Sequence, residues 1–381
     1  MASLSFSTER YDRSCAGRTG TLCIGAWAVP TPILWLGHSL KSRLLLGEFE
    51  DFKDTPLVVS LGDLVERNRL YERIVRTGIH AHVAHEGPIM VDSGGFKFTS
   101  HRSVPFSVST VIDFYRDSGA DIGVALDHPM SPLVSQQTNR RRWQRTVKDL
   151  KHACELAGDV PLVPVIHGLT LPQLRNACET VRSIIKNPVM LGLGSLVPLL
   201  KSSYIGKRFS YQARGGRQGN QTAFIADAIE FVRSEFPFAL LHVFGAGSPA
   251  SILAFFALGA DSVDSVSWRI KAGYGAIILP GTSNRYLFER PHATRTRPTL
   301  KKKEKELLAA CLCPVCREAT FDARLTKLEA HFRVRALHNA WVVQQEVVRF
   351  RQALAEGQGK DYLAAVLQPQ HRMYAVLANR L

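Results

Sequence analysis

The sequence has no long uninterrupted apolar run. Its most apolar stretch, residues 21–37, is broken by Pro30 and Pro32, and residues 251–260 fall well short of the roughly 20 residues that a membrane-spanning helix needs. No membrane partner is therefore expected. The first ten residues carry Glu9 and show no basic-then-apolar pattern, so no secretory leader is expected and the expected compartment is cytoplasmic. A disulfide framework is missing as well. The 381 residues hold seven cysteines, an odd number, and three of them, Cys311, Cys313 and Cys316, crowd into six positions. That spacing suits thiolate metal ligands better than disulfides. Internal repeats are absent, and the only low-complexity tract is the short lysine-rich run at 301–305. Disorder is excluded by what is present: 45% hydrophobic and 21% charged residues can build a sizeable core.

Acidic residues are the scarce charge. Against 33 Asp+Glu stand 48 Lys+Arg, a formal net charge of +15. The excess is concentrated in residues 139–151 (+5), 201–217 (+5) and 290–305 (+6), which leaves the rest of the chain nearly neutral. Trp143, Tyr204, Phe209 and Tyr211 are interleaved with the first two segments. A near-neutral body with basic segments and aromatics predicts a polyanion partner, with ordinary solvated charge as the competing explanation.

Short apolar runs that end in a polar residue or glycine recur at 57–60, 88–95, 123–127, 162–168, 189–195, 240–247, 261–264 and 276–279. Such runs read as strands of a parallel sheet buried on both faces. Helical patterns lie between them, at 108–117, 143–156, 171–185, 221–235 and 249–258. This alternation predicts an α/β fold, a (β/α)8 TIM barrel. The active site of such a barrel gathers residues from the C-terminal ends of its strands. Here those ends are Asp92, Asp127, His167, Ser195, Gly245 and Asp264. Beyond Pro280 the chain turns polar and basic, then carries the cysteine cluster and one helical pattern over about 326–356, stopped by Gly357. The expected division is a catalytic barrel over 1–285, a basic zinc-binding subdomain over 286–345, and C-terminal helices over 346–381 that pack back on the barrel.

The cluster has the form Cys-x-Cys-x2-Cys, and His338 follows after 21 intervening residues. Three thiolates and one imidazole would complete a tetrahedral Zn2+ site with no open position, which makes it structural. His331 lies seven residues earlier on the same helical face, so spacing alone leaves both histidines open as the fourth ligand. Asp92 and Asp264 are the candidate catalysts. A carboxylate pair at a barrel mouth fits displacement at a sugar anomeric carbon, with one acid as nucleophile and the other moving protons. For either aspartate alone, a cap or strand-end hydrogen bond competes with that role, and His167 alone reads equally as ligand-facing or packed.

The motifs Asp92-Ser-Gly-Gly-Phe96, Phe244-Gly-Ala-Gly-Ser-Pro249, Leu258-Gly-Ala-Asp-Ser-Val-Asp264 and the cysteines with His338-Asn339 follow one another in this order. In that order and spacing the sequence resembles the tRNA-guanine transglycosylase family, also known as queuine or archaeosine tRNA-ribosyltransferases, over about residues 15–355. The resemblance implies a TIM barrel with a zinc-bearing insertion that exchanges guanine in a polynucleotide for a free 7-deazaguanine base. It implies Asp264 as the nucleophile that forms a covalent glycosyl intermediate, and Asp92 as the acid/base. Asp127 would read the guanine edge, Phe96 and Phe244 would sandwich the base, and Ser195, Leu196 and Gly245 would line it. Cys311, Cys313, Cys316 and His338 would hold the zinc, which favours His338 over His331.

Several departures bear on the substrate. His167 stands where the tRNA enzymes carry Gln, and Ser195 replaces a glycine. The loop at 196–200 resembles the archaeal form, which points to 7-cyano-7-deazaguanine. The stretch after Asp264 lacks the Thr-Arg-x-x-Arg-Asn-Gly of bacterial tRNA enzymes, and the chain ends at Leu381. These absences resemble the DNA-modifying, DpdA-type branch, so DNA is the expected target and tRNA the alternative. A non-catalytic nucleic-acid-binding subunit of the family and a glycosidase acting on nucleosides or saccharides are the rival readings. A homodimer or an accessory protein partner stays open.

Overall fold

The computed structural model describes residues 3–98, 104–201, 209, 211–212, 218–281, 284–288, 298–367, 372–378 and 380. Most of the basic segment 201–217, including Tyr204, and residues 290–297 of the third segment lie outside the described residues.

The chain opens with three antiparallel strands, β1 (Leu4–Tyr11), β2 (Arg18–Ile24) and β3 (Trp27–Thr31). A parallel sheet follows, built from β4 (Ile33–Gly37), β5 (Leu57–Ser60), β6 (Ile89–Asp92), β7 (Ile122–Val124), β8 (Leu162–Val163), β9 (Val165–Ile166) and β10 (Met190–Leu193). A two-strand ribbon, β11 (Tyr211–Gln212) and β12 (Gln218–Gly219), precedes its last two strands, β13 (Leu240–Val243) and β14 (Ser262–Ser265). The nine segments run in the order β8-β7-β6-β5-β4-β14-β13-β10-β9. β8 and β9 are separated by Pro164 alone, so the two ends of that row are one strand and the row closes into a barrel of eight strand positions. Pro164 cannot donate to a ladder, but its carbonyl still accepts from the Gly192 N–H at 2.8 Å.

The expected (β/α)8 barrel is therefore the observed fold, with two corrections to its strands. Residues 276–279 are not a barrel strand; within them only Ile277 makes a β-bridge, to Arg285. The eighth position belongs to β4, which lies between β14 and β5. The helical pattern at 326–356 is also two helices, Phe321–Ala330 and Phe332–Glu356, separated at His331, whose backbone is extended. Gly357 ends the second helix in a left-handed conformation, as the pattern predicts.

Strand periodicity decides what faces the barrel axis. Successive side chains alternate faces, and Trp35, Val58, Met90, Val163, Val165, Met190 and Leu240 meet in one buried cluster. Leu22 and Ile24 of β2 join that cluster, so the antiparallel sheet packs against the barrel interior. Counting on by two from those residues gives Asp92, His167, His242 and Phe244 as inward-facing positions. Outside the strands, capped helices complete the layer: Ser107, Ser135, Thr170, Asn220, Ser248 and Thr320 each accept the third following backbone N–H. The Phe332–Glu356 helix and the cysteine cluster belong to the same apolar core as the barrel helices. Among the described residues no helix is long and apolar enough to cross a membrane.

Asp261, three residues before Asp264, shows what a structural aspartate looks like here. It is fully buried and held by both Arg18 (2.7 Å) and Arg233, which tie β2 and the Gln221–Glu235 helix to the start of β14. Among the described residues Asp264 has no arginine or lysine partner of this kind.

Candidate active site and metal centre

Three carboxylates stand at the C-terminal ends of β6, β7 and β14. Asp92 ends β6, with Oδ2 accepting from the Gly94 N–H (3.0 Å) and from the Ser60 hydroxyl (3.2 Å). Burial, and then the negative charges of Asp127 and Asp264, push its carboxyl up to about 7 against those two hydrogen bonds. Asp92 therefore feels the charges of both other mouth acids.

Asp127 is buried, hydrogen-bonded at Oδ1 and approached at Oδ2 by a histidine nitrogen whose contact lies outside hydrogen-bond geometry. Ser93 Oγ donates to Oδ1 at 3.0 Å, and His167 Nε2 lies 2.9 Å from Oδ2. His167 is itself fully buried. Its Nδ1 meets Ser195 Oγ at 2.9 Å, and that hydroxyl accepts the Met130 N–H at 2.8 Å. Ser195 Oγ thus bridges the Met130 N–H and His167 Nδ1, while Nε2 faces Asp127. His167 therefore stands behind Asp127, with both ring nitrogens turned to protein groups. Gly194 makes room for its ring, because a Cβ there would lie 2.5 Å from His167 Cε1.

Ser195 occupies the left-handed region at φ +67, where glycine is at ease and a side chain is strained. The strain is held in place by the two hydrogen bonds of its hydroxyl. Leu196 is buried in the core, and its carbonyl accepts from the Leu199 N–H at the start of the Val197–Lys201 helix.

Asp264 lies in β14. Its Oδ1 accepts the Gly245 N–H at 2.7 Å, and His242 Nε2 stands 3.4 Å away. Gly245 adopts φ +73, and a Cβ there would strike Val197 Cγ2 at 2.2 Å. Only glycine turns the chain at that point and delivers the N–H to the carboxylate. Among the described residues Oδ2 has no hydrogen-bond partner. Phe244 is half-buried and packs edge-on against His242 with ring centroids 4.4 Å apart. Phe96, in the turn after β6, is 42% exposed.

Two features were not singled out in the sequence, His242 and the serines Ser60, Ser93 and Ser262. Period-two counting along 240–244 would have placed His242 on the inner face. The serines carry no local signal, because each is defined by a neighbour on another strand. Of the aromatics interleaved with the basic segments, the three that are described, Trp143, Phe209 and Tyr211, pack against other rings of the protein. Trp143 packs edge-on to His167 at 6.5 Å, and Phe209 and Tyr211 pack on Phe224 at 5.5 and 5.1 Å.

The cysteine cluster forms as expected, at a distance in sequence from the carboxylates. Cys311, Cys313, Cys316 and His338 are all buried, and one ligand atom from each lies within 4.8 Å of the others. The sulfurs stand 3.6, 3.4 and 3.7 Å from His338 Nδ1. Tetrahedral zinc, with Zn–S about 2.3 Å and Zn–N about 2.0–2.1 Å, would hold sulfur and nitrogen about 3.5–3.6 Å apart. The residues present fit that metal. His338 Nε2–H donates to the Ile278 carbonyl at 2.9 Å, which leaves Nδ1 unprotonated toward the sulfurs. His331 is outside the cluster.

A family model described as queuine tRNA-ribosyltransferase matches residues 12–372. Similar curated proteins include tRNA-guanine(15) transglycosylases of Thermococcus onnurineus, 27% identical over 93% of this chain and 56% of that protein, and of Pyrococcus furiosus, 27% identical over 92% and 54%. That of Methanopyrus kandleri is 26% identical over 98% of this chain and 74% of its own length. The chain spans little more than half the length of the first two. Because the matched span takes in every barrel strand, all three mouth carboxylates and the cysteine–histidine cluster, the chain belongs to the queuine tRNA-ribosyltransferase family.

Proposed function

We propose that this chain exchanges guanine in a nucleic acid for a 7-deazaguanine base, as a pentosyltransferase working through a covalent intermediate on Asp264. The observation that carries the reading is the convergence of Asp92, Asp127 and Asp264 at one barrel mouth, with Asp92 pushed up to about 7 by burial and by the other two. Asp264 attacks C1′ through its unpartnered Oδ2, and the bond from C1′ to guanine N9 breaks. Asp92 gives its proton to the departing base. The incoming base then loses its N9 proton to Asp92 and attacks C1′, which releases the Asp264 carboxylate. Atoms and charge return to their starting state.

Asp127, held by Ser93 at Oδ1 and with His167 Nε2 behind Oδ2, presents its remaining lone pairs to the donor edge of a guanine, so His167 contributes to base binding through Asp127. Phe96 and Phe244 supply the aromatic faces for a flipped base, and the backbone at Ser195, Leu196 and Gly245 lines its edge. The printed names of the relatives favour tRNA as the polymer. DNA is the alternative, because the stretch after Asp264 lacks the Thr-Arg-x-x-Arg-Asn-Gly of bacterial tRNA enzymes. The archaeal-like loop at 196–200 favours 7-cyano-7-deazaguanine as the incoming base.

Zinc held by Cys311, Cys313, Cys316 and His338 would supply a structural crosslink with no open coordination position. In this reading residues 1–285 form the catalytic barrel, 286–345 the zinc subdomain, and 346–381 helices that pack back on the barrel. The test is incubation with labelled guanine and either bulk tRNA or duplex DNA. The parent protein is expected to place label in one polymer, and Asp264→Asn to place none. Undiminished exchange by Asp264→Asn would overturn the reading, and label in DNA alone would reverse the choice of polymer.

A further inference from the structure

Behind Asp264 lies a chain of fully buried polar groups. Trp35, Ser262 and His242 come from β4, β14 and β13, three neighbouring strands, and each has no accessible surface. Trp35 Nε1–H donates to Ser262 Oγ at 2.8 Å, and Ser262 Oγ lies 2.8 Å from His242 Nδ1. His242 and Ser262 are register partners across β13 and β14, so the contact follows directly from strand pairing.

The protons in this chain can be placed by elimination. Indole nitrogen only donates, so Ser262 accepts from Trp35. Among the described residues, the one acceptor within reach of the Ser262 hydroxyl proton is His242 Nδ1. That nitrogen must therefore be bare, and the ring proton sits on Nε2. The opposite tautomer would turn a lone pair toward a carboxylate and leave the Ser262 proton without an acceptor. Nε2–H has no hydrogen-bond partner that meets geometric limits, and Asp264 Oδ1 is 3.4 Å from it. A buried donor without a partner calls for an explanation, and contacts of this kind often tighten when substrate binds.

We propose that His242, locked as its Nε2–H tautomer by Ser262 and Trp35, is a positioning residue for Asp264. With the Gly245 N–H it holds Oδ1 as the non-attacking oxygen, and it stabilises the carboxylate as the incoming base displaces it. This rests on the exchange reading above. In the glycosyl ester Oδ1 is the carbonyl oxygen, and it regains negative charge when the bond from C1′ to Oδ2 breaks. A donor aimed at Oδ1 therefore favours the second displacement more than the first. Phe244, packed against the ring, keeps the imidazole plane fixed.

The side-chain amide of glutamine can reach the place of Nε2, whereas that of asparagine reaches only the place of Nδ1. His242→Gln is expected to keep exchange within about 5-fold of the parent, while His242→Asn and His242→Phe lose about 10–100-fold in kcat, the usual cost of removing a supporting partner. The KM for guanine is expected to stay unchanged. The fraction of protein trapped as a denaturant-stable adduct, with bulk tRNA or duplex DNA (whichever exchanges), is expected to rise in the Asn and Phe variants. A merely structural role would lower adduct and turnover together. Ser262→Ala, which removes the lock, is expected to show the same adduct rise and decides the matter if the His242 variants fail to fold. Parental kcat and adduct level in the folded variants would overturn the proposal, as would equal loss in Gln, Asn and Phe. Asp264→Asn keeps the two readings apart: if it is inactive while the folded His242 variants behave as parent, only the positioning role of His242 fails.

Discussion

Among the described residues, Asp92 differs from the two other mouth carboxylates in having no histidine behind it. Asp127 has His167 Nε2 at 2.9 Å and Asp264 has His242 Nε2 at 3.4 Å, while Asp92 has a serine and a backbone N–H. It is also the acid that burial and its neighbours push up to about 7. At neutral pH such a group gives and takes a proton with little bias, which suits an acid/base that must do both in one turnover. The same shift links stability to pH. In the unfolded chain the carboxyl loses its proton near its ordinary value of 3.8, and in the folded protein near 7. Between those values the native state binds more protons, so stability falls as pH rises through the window and the loss is complete above it. Asp92→Asn is expected to abolish exchange and to raise Tm over the parent at pH 8, with little difference at pH 4. Calorimetry at both pH values checks this, and an equal Tm difference at each would count against a raised Asp92.

At the scale of elements, the site was legible wherever one strand carries its own signal. Asp92, Asp127, His167 and Asp264 are polar endings to apolar runs, and the barrel collects such endings by geometry. Partners that belong to different strands were not legible. Ser262 meets Trp35 and His242 only because β4, β14 and β13 are neighbours, and nothing local in the sequence states that order. β4 was hidden by the prolines that precede it. Pro30 lies in β3, an edge strand where a missing N–H does no harm, and Pro32 separates β3 from β4, so one broken apolar stretch is in fact two strands. Residues 276–279 misled in the opposite direction. They are as buried as a strand, but the Ile278 N–H goes to Asn339 Oδ1 at 2.7 Å and its carbonyl to His338. The Phe332–Glu356 helix thus joins the metal cluster to the segment leaving the barrel. The native protein is expected to carry one zinc per chain by mass spectrometry, and Cys313→Ser to lose it with a marked fall in Tm, since binding energy at such a site is folding energy. A metal-free parent protein with unchanged Tm would remove the staple from this account.

At the scale of the whole molecule the question is how a polyanion reaches the mouth. Of the three basic segments, 139–151 can be followed in full, within the Gln136–Leu156 helix. That helix starts nine residues beyond Asp127, and Arg142 donates to the Pro129 carbonyl at 2.9 Å, which fixes the strip to the mouth loop. Arg140, Arg141 and Lys148 are exposed, while Trp143 is turned in against His167. The strip therefore offers charge without a stacking surface, a surface that attracts phosphates regardless of sequence. Each phosphate neutralised contributes about 0.7–0.9 to the slope of log affinity against log salt. Replacing Arg140, Arg141 and Lys148 together by Gln is expected to reduce that slope by about 2–3 for bulk tRNA or duplex DNA. The KM for free guanine, which carries no phosphate, is expected to stay at the parental value. Filter binding across a salt series gives the slope, and label exchange gives the KM. An unchanged slope would mean that the polymer approaches the three carboxylates from another side of the barrel mouth. A raised guanine KM would mean that the strip shapes the base pocket itself.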